Sequence, residues 1–312
     1  MRKVFRGLFL LSLIIGMGMF AQQTQTDAAA GDIINLNFGI NNSYPWIQTV
    51  CGDIRMDNGI TNQAPYGQST IITDSSCQSP GIVFSGDATA NFGQGQASST
   101  NQVVGGTTYP EVYTPPSNNG IFSSYTNLDQ KAHSGGLTTT NLASVCTLSN
   151  CTLPANLQSG VYQANGNVTL NTYTVQNNRD LVFLINGNLT INGNIITPTT
   201  STSFFSVSGN IIVPASVGSA PSTTTANLSG IFSTDRSFIM QTTGACTDLR
   251  LNVEGTIIVN AGRTGGQVQN NRDLCSDNGY YPTLSITQRL DFILNLPDII
   301  KTQTITSQEV AP

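Results

Sequence analysis

The chain has 312 residues, with 12 basic and 17 acidic side chains and a formal net charge of −5. Charged residues make up only 9% of it, against about 25% in ordinary soluble domains. Beyond the first 21 residues the arginines and lysines are scattered singly, which excludes nucleic acid as an expected partner, because such binding needs basic clusters along a groove. Solubility must rest on amides and hydroxyls, as in an extracellular protein of many short strands and Asn- and Gly-rich turns.

The N-terminus has the pattern of a secretory signal peptide. A basic opening, MRKVFRG, precedes an apolar run from Leu8 to Phe20, which is short for a membrane span of roughly 20 residues. We expect residues 1–21 to be the signal peptide, cleaved after Ala21, with an uncleaved N-terminal anchor as the alternative. The polar residues 22–31 are then a flexible leader. A secreted or cell-surface location, with no membrane span after signal cleavage, is expected.

The next part of the chain has irregular β character. Residues 32–116 are interpreted as a β-rich N-terminal region or a cap over the first coil of the fold that follows. They contain the only tryptophan, Trp46, which favours a buried anchor over a sugar-stacking platform with Tyr44. Residues 117–145 are rich in proline, glycine and polar side chains and predict a linker, with one short helix near 127–132.

A repeated motif then predicts the fold of residues 146–280. Its copies, NGNVTLN, NGNLTIN, SGNIIVP and EGTIIVN, place glycines at Gly166, Gly187, Gly209 and Gly255. Apolar residues at alternate positions after each glycine point one side chain in two toward a shared interior. The repeat predicts an all-β, right-handed parallel β-helix, a β-solenoid with coils of about 22 residues. The right-handed sense of the coil is a general expectation for parallel β-helices and is not deduced from these residues.

The longest gap in the series, between Gly209 and Gly255, is interpreted as two coil steps of about 23 residues each. The missing coil is then degenerate, carried by SGIFSTDRSFIM at 229–240. A second strand is predicted ahead of each glycine, so that Phe183, Phe205 and Leu251, which precede their glycines by the same distance, should share one register.

The C-terminal residues 281–312 change character and predict a C-terminal cap. Their apolar cluster contains Pro297, which prevents a long helix. The stretches LDFILNLPDIIK and QEVAP, together with PWIQTVCGDIR near the N-terminus, resemble segments of exported parallel β-helix surface proteins, of pectin-lyase-like shape, from candidate-phylum bacteria. The resemblance covers only these end segments. It implies a surface or secreted location and carries no known activity.

Six cysteines fit an exported chain in which disulfides persist. Six cysteines allow fifteen connectivities. Sequence proximity favours three local pairs: Cys51 with Cys77, Cys146 with Cys151, and Cys246 with Cys275. A zinc site is the rival interpretation, but CxxC spacing is absent and His133 is the only histidine.

A polysaccharide lyase or glycoside hydrolase is the enzymatic alternative, because β-helices often act on polysaccharides. Such catalysis needs carboxylates brought together across neighbouring coils. The candidates would be Asp235, Arg236, Asp248 and Glu254. None of their spacings matches the coil period, and the separation of Asp235 from Glu254 comes nearest to it. The pattern therefore favours a non-catalytic protein, and no cofactor is expected.

Two similar acidic segments are weak calcium candidates. DIRMDNG contains Asp53 and Asp57, and DLCSDNG contains Asp273 and Asp277. Carboxylate and amide oxygens beside a glycine turn can hold Ca²⁺, but the EF-hand order is not met, so a plain Asp-Asn-Gly turn is favoured over a metal site. A calcium-dependent glycan-binding module remains an alternative.

These observations predict a secreted or cell-surface structural or adhesive module. Stacked asparagines and threonines on the outside of a solenoid offer many weak hydrogen-bonding groups, suited to glycans, the cell wall or other surface proteins. Exposed aromatics such as Tyr280 and Tyr281 could stack on sugars.

Overall fold

The computed structural model describes residues 44–52, 54–56, 60–72, 83–85, 90–98, 122–262 and 264–300. All of them belong to one compact unit. The predicted signal peptide and leader, Asp53, Asp57 and Cys77 lie outside the described residues. None of the helices in these ranges is long and apolar enough to span a membrane.

The described chain is built mainly of short strands. In chain order these are β1 (Ile47–Val50), β2 (Ile54–Met56), β3 (Ile60–Thr61), β4 (Ser69–Ile72), β5 (Val83–Ser85), β6 (Ala90–Asn91), β7 (Gln96–Ser98), β8 (Thr139–Asn141), β9 (Gly160–Asn165), β10 (Val168–Leu170), β11 (Tyr173–Thr174), β12 (Asp180–Asn186), β13 (Leu189–Ile191), β14 (Ile195–Ile196), β15 (Thr202–Val207), β16 (Ile211–Val213), β17 (Leu228–Thr234), β18 (Phe238–Met240), β19 (Leu251–Ile258), β20 (Val268–Asn270) and β21 (Leu284–Thr287). Two α-helices, α1 (Tyr125–Ser134) and α2 (Leu290–Leu294), and three 3₁₀ helices, Leu142–Ser144, Leu148–Asn150 and Cys275–Gly279, complete them.

The strands coil into a parallel β-solenoid of about six turns, which confirms the predicted fold class. One strand of each turn joins the large sheet, ordered β7-β4-β1-β21-β19-β17-β15-β12-β9-β8. The next strand joins the second sheet, ordered β10-β13-β16-β18-β20, and a short third face pairs β11 with β14. Every one of these strand pairs is parallel.

The inside of the large sheet carries a column of stacked aromatic rings. Ring centroids are 5.7 Å apart between Tyr162 and Phe183, 4.8 Å between Phe183 and Phe205, and 5.2 Å between Phe205 and Phe232. The predicted register of Phe183 with Phe205 is confirmed. Leu251 does not continue it, because Phe232 takes that position and Leu251 pairs with Leu284.

Gly255, the glycine of the fourth repeat, is out of register in the same way as Leu251. Gly255 pairs with Gly230 and not with the column of Gly209, which stacks on Gly187 through a backbone hydrogen bond of 2.9 Å. The degenerate coil expected at 229–240 is present as β17 and β18. This coil has more residues than the predicted step of about 23, because the segment 214–227 loops out before β17. The residue that pairs with Phe205 is therefore Phe232.

The described N-terminal strands β1, β4 and β7 extend the last coil of the solenoid and do not pair with the first. Ile47 pairs with Leu284, and β4 and β7 continue the large sheet beyond β1. Trp46 is a buried anchor at this junction, with its Nε1 donating to the carbonyl oxygen of Asn278 at 2.9 Å. The first coil is filled instead by the buried side chains Leu142, Leu153 and Leu157.

The outside of the large sheet is covered by helix α1 and the C-terminal segment 290–300. Sheet residues such as Val182, Leu184 and Phe204 form one cluster with Leu128 and with Phe292, Ile299 and Ile300. This explains why the residues of β15, and all but the end residues of β12, are buried on both faces. The helix predicted near 127–132 therefore packs on the solenoid, and the C-terminal segment lies on its flank.

Two predicted disulfides are confirmed. Cys146 bonds to Cys151 and Cys246 bonds to Cys275. The third prediction includes Cys77, outside the described residues.

Candidate functional site

Asp235, a catalytic candidate from the sequence, lies directly after β17 and is buried. Its carboxylate accepts a 3.0 Å hydrogen bond from the backbone N–H of Tyr125. Burial raises the pKa of Asp235 to about 6, against the opposing effect of the N–H groups of Tyr125 and Thr126. The neighbouring Arg236 is exposed. The contacts of Asp235 thus belong to the start of helix α1.

Asp248 holds a surface loop together. Its two oxygens accept hydrogen bonds from the Thr242 hydroxyl (2.6 Å), the Thr243 N–H (2.7 Å) and hydroxyl (2.8 Å), and the Asp273 N–H (2.9 Å). Burial of the carboxylate acts to raise its pKa, but these hydrogen bonds outweigh it and lower the pKa of Asp248. The carboxylate of Asp248 thus accepts four hydrogen bonds from groups of the fold itself.

Glu254 lies beside the C-terminal segment. The guanidinium of Arg289 contacts it at 3.3 Å, forks onto Asp291 at 2.8 and 2.6 Å, and lies 4.2 Å from the ring centre of Phe292. This network ties the start of α2 to the sheet.

The three carboxylates among the four sequence candidates are therefore found in separate surroundings, Asp235 at α1, Asp248 in the 242–248 loop and Glu254 at α2. Of the calcium candidates, Asp273 accepts from the N–H of Cys275 at 2.7 Å and from the Asn278 amide at 2.6 Å, and Asp277 is exposed. Within the described ranges, no group of three or more His, Cys, Asp or Glu side chains is arranged to hold a metal ion. Asp53 and Asp57 lie outside those ranges.

The outer side of the second sheet, here called the outward face, is partly exposed among the described residues. Its strands alternate: Val168 and Leu170 are buried around Thr169, and Leu189 and Ile191 around Thr190. One partly exposed residue per coil therefore forms a central row. The row consists of Thr169, Thr190, Ile212, Ile239 and Gln269.

An amide ladder borders this row on the side where each strand begins. The side-chain oxygen of Asn167 accepts from the N–H of Asn188 at 2.8 Å, Asn188 does the same for Asn210 at 2.8 Å, and Asn210 for Ser237 at 3.1 Å. The Ser237 hydroxyl continues the pattern by accepting from the N–H of Gln267 at 3.1 Å. The corners along this border are thus each fixed by the coil before them.

Strand geometry makes the outward face regular. Neighbouring strands in a sheet lie about 4.8 Å apart, so five strands give a row roughly 19 Å long. The central row and its ladder hold hydroxyl, amide and aliphatic groups and no ionisable side chain. Such a surface can make many hydrogen bonds and methyl contacts to a neutral, ordered partner.

The sequence repeats identify only the first three positions of the central row. Ile239 lies within the degenerate coil expected at 229–240, although no glycine of the repeat fixes its position, and Gln269 was missed because its coil departs from the glycine period. The alternation of buried Phe238 and Met240 around Ile239 is the signal that could have located that strand.

No protein-family model matches the chain, and the searches of curated proteins and of solved structures returned no match.

Proposed function

We propose that the protein is a secreted or cell-surface structural or adhesive β-solenoid module whose outward face contacts neutral glycans of a cell wall or extracellular matrix. The observation that carries the proposal is the central row of Thr169, Thr190, Ile212, Ile239 and Gln269 beside an amide ladder. Hydroxyl and amide groups match the hydroxyl groups of a sugar polymer, and methyl groups match its apolar ring faces.

Rigidity favours this surface as a binding site. The hydrogen bonds that join Asn167, Asn188 and Asn210 to the next coil hold the strand ends in place, so little conformational entropy is lost when a partner is bound. Each contact is weak by itself, and a polymer that crosses several coils gains from multivalency. The signal-peptide pattern, the disulfides and the low charge support an extracellular location.

The test compares a charge placed on the outward face with the same charge elsewhere. Thr190→Glu puts a carboxylate in the centre of the row, and Thr174→Glu is its matched control on the exposed side of the third face. Both are partly or fully exposed positions, so both variants should fold, which circular dichroism checks.

The measurement is retention of the full mature chain on insoluble cellulose, chitin and peptidoglycan. We expect the wild-type protein and Thr174→Glu to be retained by at least one of these polymers, and Thr190→Glu to bind at least tenfold more weakly. If the wild-type protein binds none of the three polymers, or if both substitutions weaken binding equally, the result would count against the proposal.

A further inference from the structure

A pair of loops borders the outward face where strands β18 and β20 end. Residues 241–250 follow β18 and residues 271–283 follow β20. The Cys246–Cys275 disulfide joins them, and Asp248 in the first loop accepts the N–H of Asp273 in the second. We call this pair the loop rim.

Residues outside the two loops also hold the loop rim in place. Arg272 is fully buried and donates to the carbonyl oxygens of Leu249 at 2.8 Å and Pro214 at 2.7 Å. Asn278 is also buried, and its carbonyl oxygen accepts from Trp46. The turn at Asn278 is therefore held by Trp46 from the N-terminal part and, through the Asn278 side chain, by Asp273 and Leu274.

Two adjacent tyrosines follow this fixed turn, and they differ in surroundings. Tyr281 is partly buried and lies within electrostatic reach of the Arg250 guanidinium. Tyr280 is 60% exposed, although the N–H groups of both residues donate to the carbonyl oxygen of Asp277. A large aromatic side chain is thus presented to solvent from a backbone that cannot easily move.

We infer that Tyr280 is an aromatic platform of a sugar-binding subsite at the loop rim, which extends the glycan surface of the outward face. This inference rests on the proposed function. A tyrosine ring presents a flat apolar face to the apolar side of a pyranose ring at low entropic cost. Asp277 and Ser276, exposed on the same turn, can accept hydrogen bonds from sugar hydroxyls. The subsite is therefore suited to a neutral or amino sugar and unsuited to an acidic one.

The experiment substitutes two exposed tyrosines in the full mature chain. Tyr280→Ala removes the platform, Tyr280→Phe keeps the ring without the hydroxyl, and Tyr66→Ala is the matched control, since Tyr66 is 82% exposed in the N-terminal part. Binding isotherms are measured by depletion on cellulose, chitin and peptidoglycan, and thermal unfolding confirms that each variant is folded.

We expect Tyr280→Ala to raise the dissociation constant about three- to tenfold, with Tyr280→Phe within twofold of the wild-type protein and Tyr66→Ala unchanged. Equal binding by Tyr280→Ala and Tyr66→Ala would overturn the subsite, while weakening by Thr190→Glu in the same assay would leave the outward face standing. If the wild-type protein binds none of the three polymers, both the Tyr280 subsite and the proposed glycan-binding function would be overturned.

Discussion

The carboxylate of Asp235 accepts a hydrogen bond from the backbone N–H of Tyr125, 110 residues earlier in the chain. The first N–H groups of a helix have no partner within the helix, so Asp235 satisfies the start of α1 from the end of β17. The hydroxyls of Ser206 and Ser233 add bonds of 3.0 and 2.8 Å to the carbonyl oxygen of Ser123. In this structure Ser233 and Asp235 together anchor α1 on the sheet.

This anchor predicts a pH-dependent stability. The pKa of Asp235 is raised from its ordinary 3.8 to about 6 in the folded protein, so between these values the folded state binds more protons than the unfolded state. Stability from this group is present in full below about pH 4 and is lost as the pH rises through 6. After allowance for solvent screening we expect a loss of about 1–2 kcal/mol.

Asp235→Asn keeps an oxygen that can accept from Tyr125 but removes the titration. The wild-type protein should therefore lose about 1–2 kcal/mol of unfolding free energy between pH 4 and pH 7 that the variant does not lose. The difference in unfolding free energy, variant minus wild type, should rise by that amount over this range. Urea unfolding at four pH values measures this, with the exposed Asp180→Asn as control. Parallel pH profiles for the wild-type protein and Asp235→Asn would show that Asp235 is not the responsible group.

The aromatic column predicts an energetic coupling between coils. Phe183 and Phe205 stack at 4.8 Å inside the solenoid, and such pairs contribute about 0.5–1.5 kcal/mol beyond the area they bury. Leucine substitutions, which cost roughly 1 kcal/mol each, keep double variants folded. A double-mutant cycle of Phe183→Leu and Phe205→Leu should show a coupling of that size.

Phe204 supplies the control for this cycle. It is as buried as Phe205, but its side chain lies on the other face of the sheet, in the cluster with α1. The cycle of Phe183→Leu with Phe204→Leu should therefore give a coupling near zero. Equal couplings in the two cycles would mean that general loosening of the sheet, and not ring stacking, is being measured.

The sequence predicts the fold where coils are regular and loses register where they are not. Gly166, Gly187 and Gly209 recur at nearly equal intervals, so both the coil length and the alternation of buried residues can be deduced from them. The loop at 214–227 then lengthens one coil, and an extrapolated period places Gly255 in the wrong column. A period defines coils only while corner loops keep their length.

Long-range strand pairing was beyond the sequence argument for a different reason. The junction of the N-terminal strands with the last coil joins Trp46 to Thr283, 237 residues apart, at 2.9 Å. Short strands carry no local signal for which edge they pair with, because both ends of a solenoid expose similar backbone groups. For the same reason Asp235 could be recognised as an unusual carboxylate but not as the partner of a helix.

The two described disulfides predict different losses of stability. The Cys246–Cys275 bond spans 29 residues and the Cys146–Cys151 bond spans 5. In the chain-entropy account, closing the longer loop restricts the unfolded chain more, which gives about 3.5 kcal/mol against about 2 kcal/mol for the shorter one. Paired Cys→Ala variants, compared by urea unfolding, should follow this order.

The reverse order would place the stabilisation in the folded state. The shorter bond closes the first coil, where the buried Cys151 packs with Leu142 and Leu153, so its removal also leaves a space in the core. The longer bond lies in the polar loop rim, where the hydrogen bond from the Asp273 N–H to Asp248 would still join the two loops. A larger loss for the Cys146–Cys151 variant would therefore mean that core packing outweighs loop entropy at this end of the solenoid.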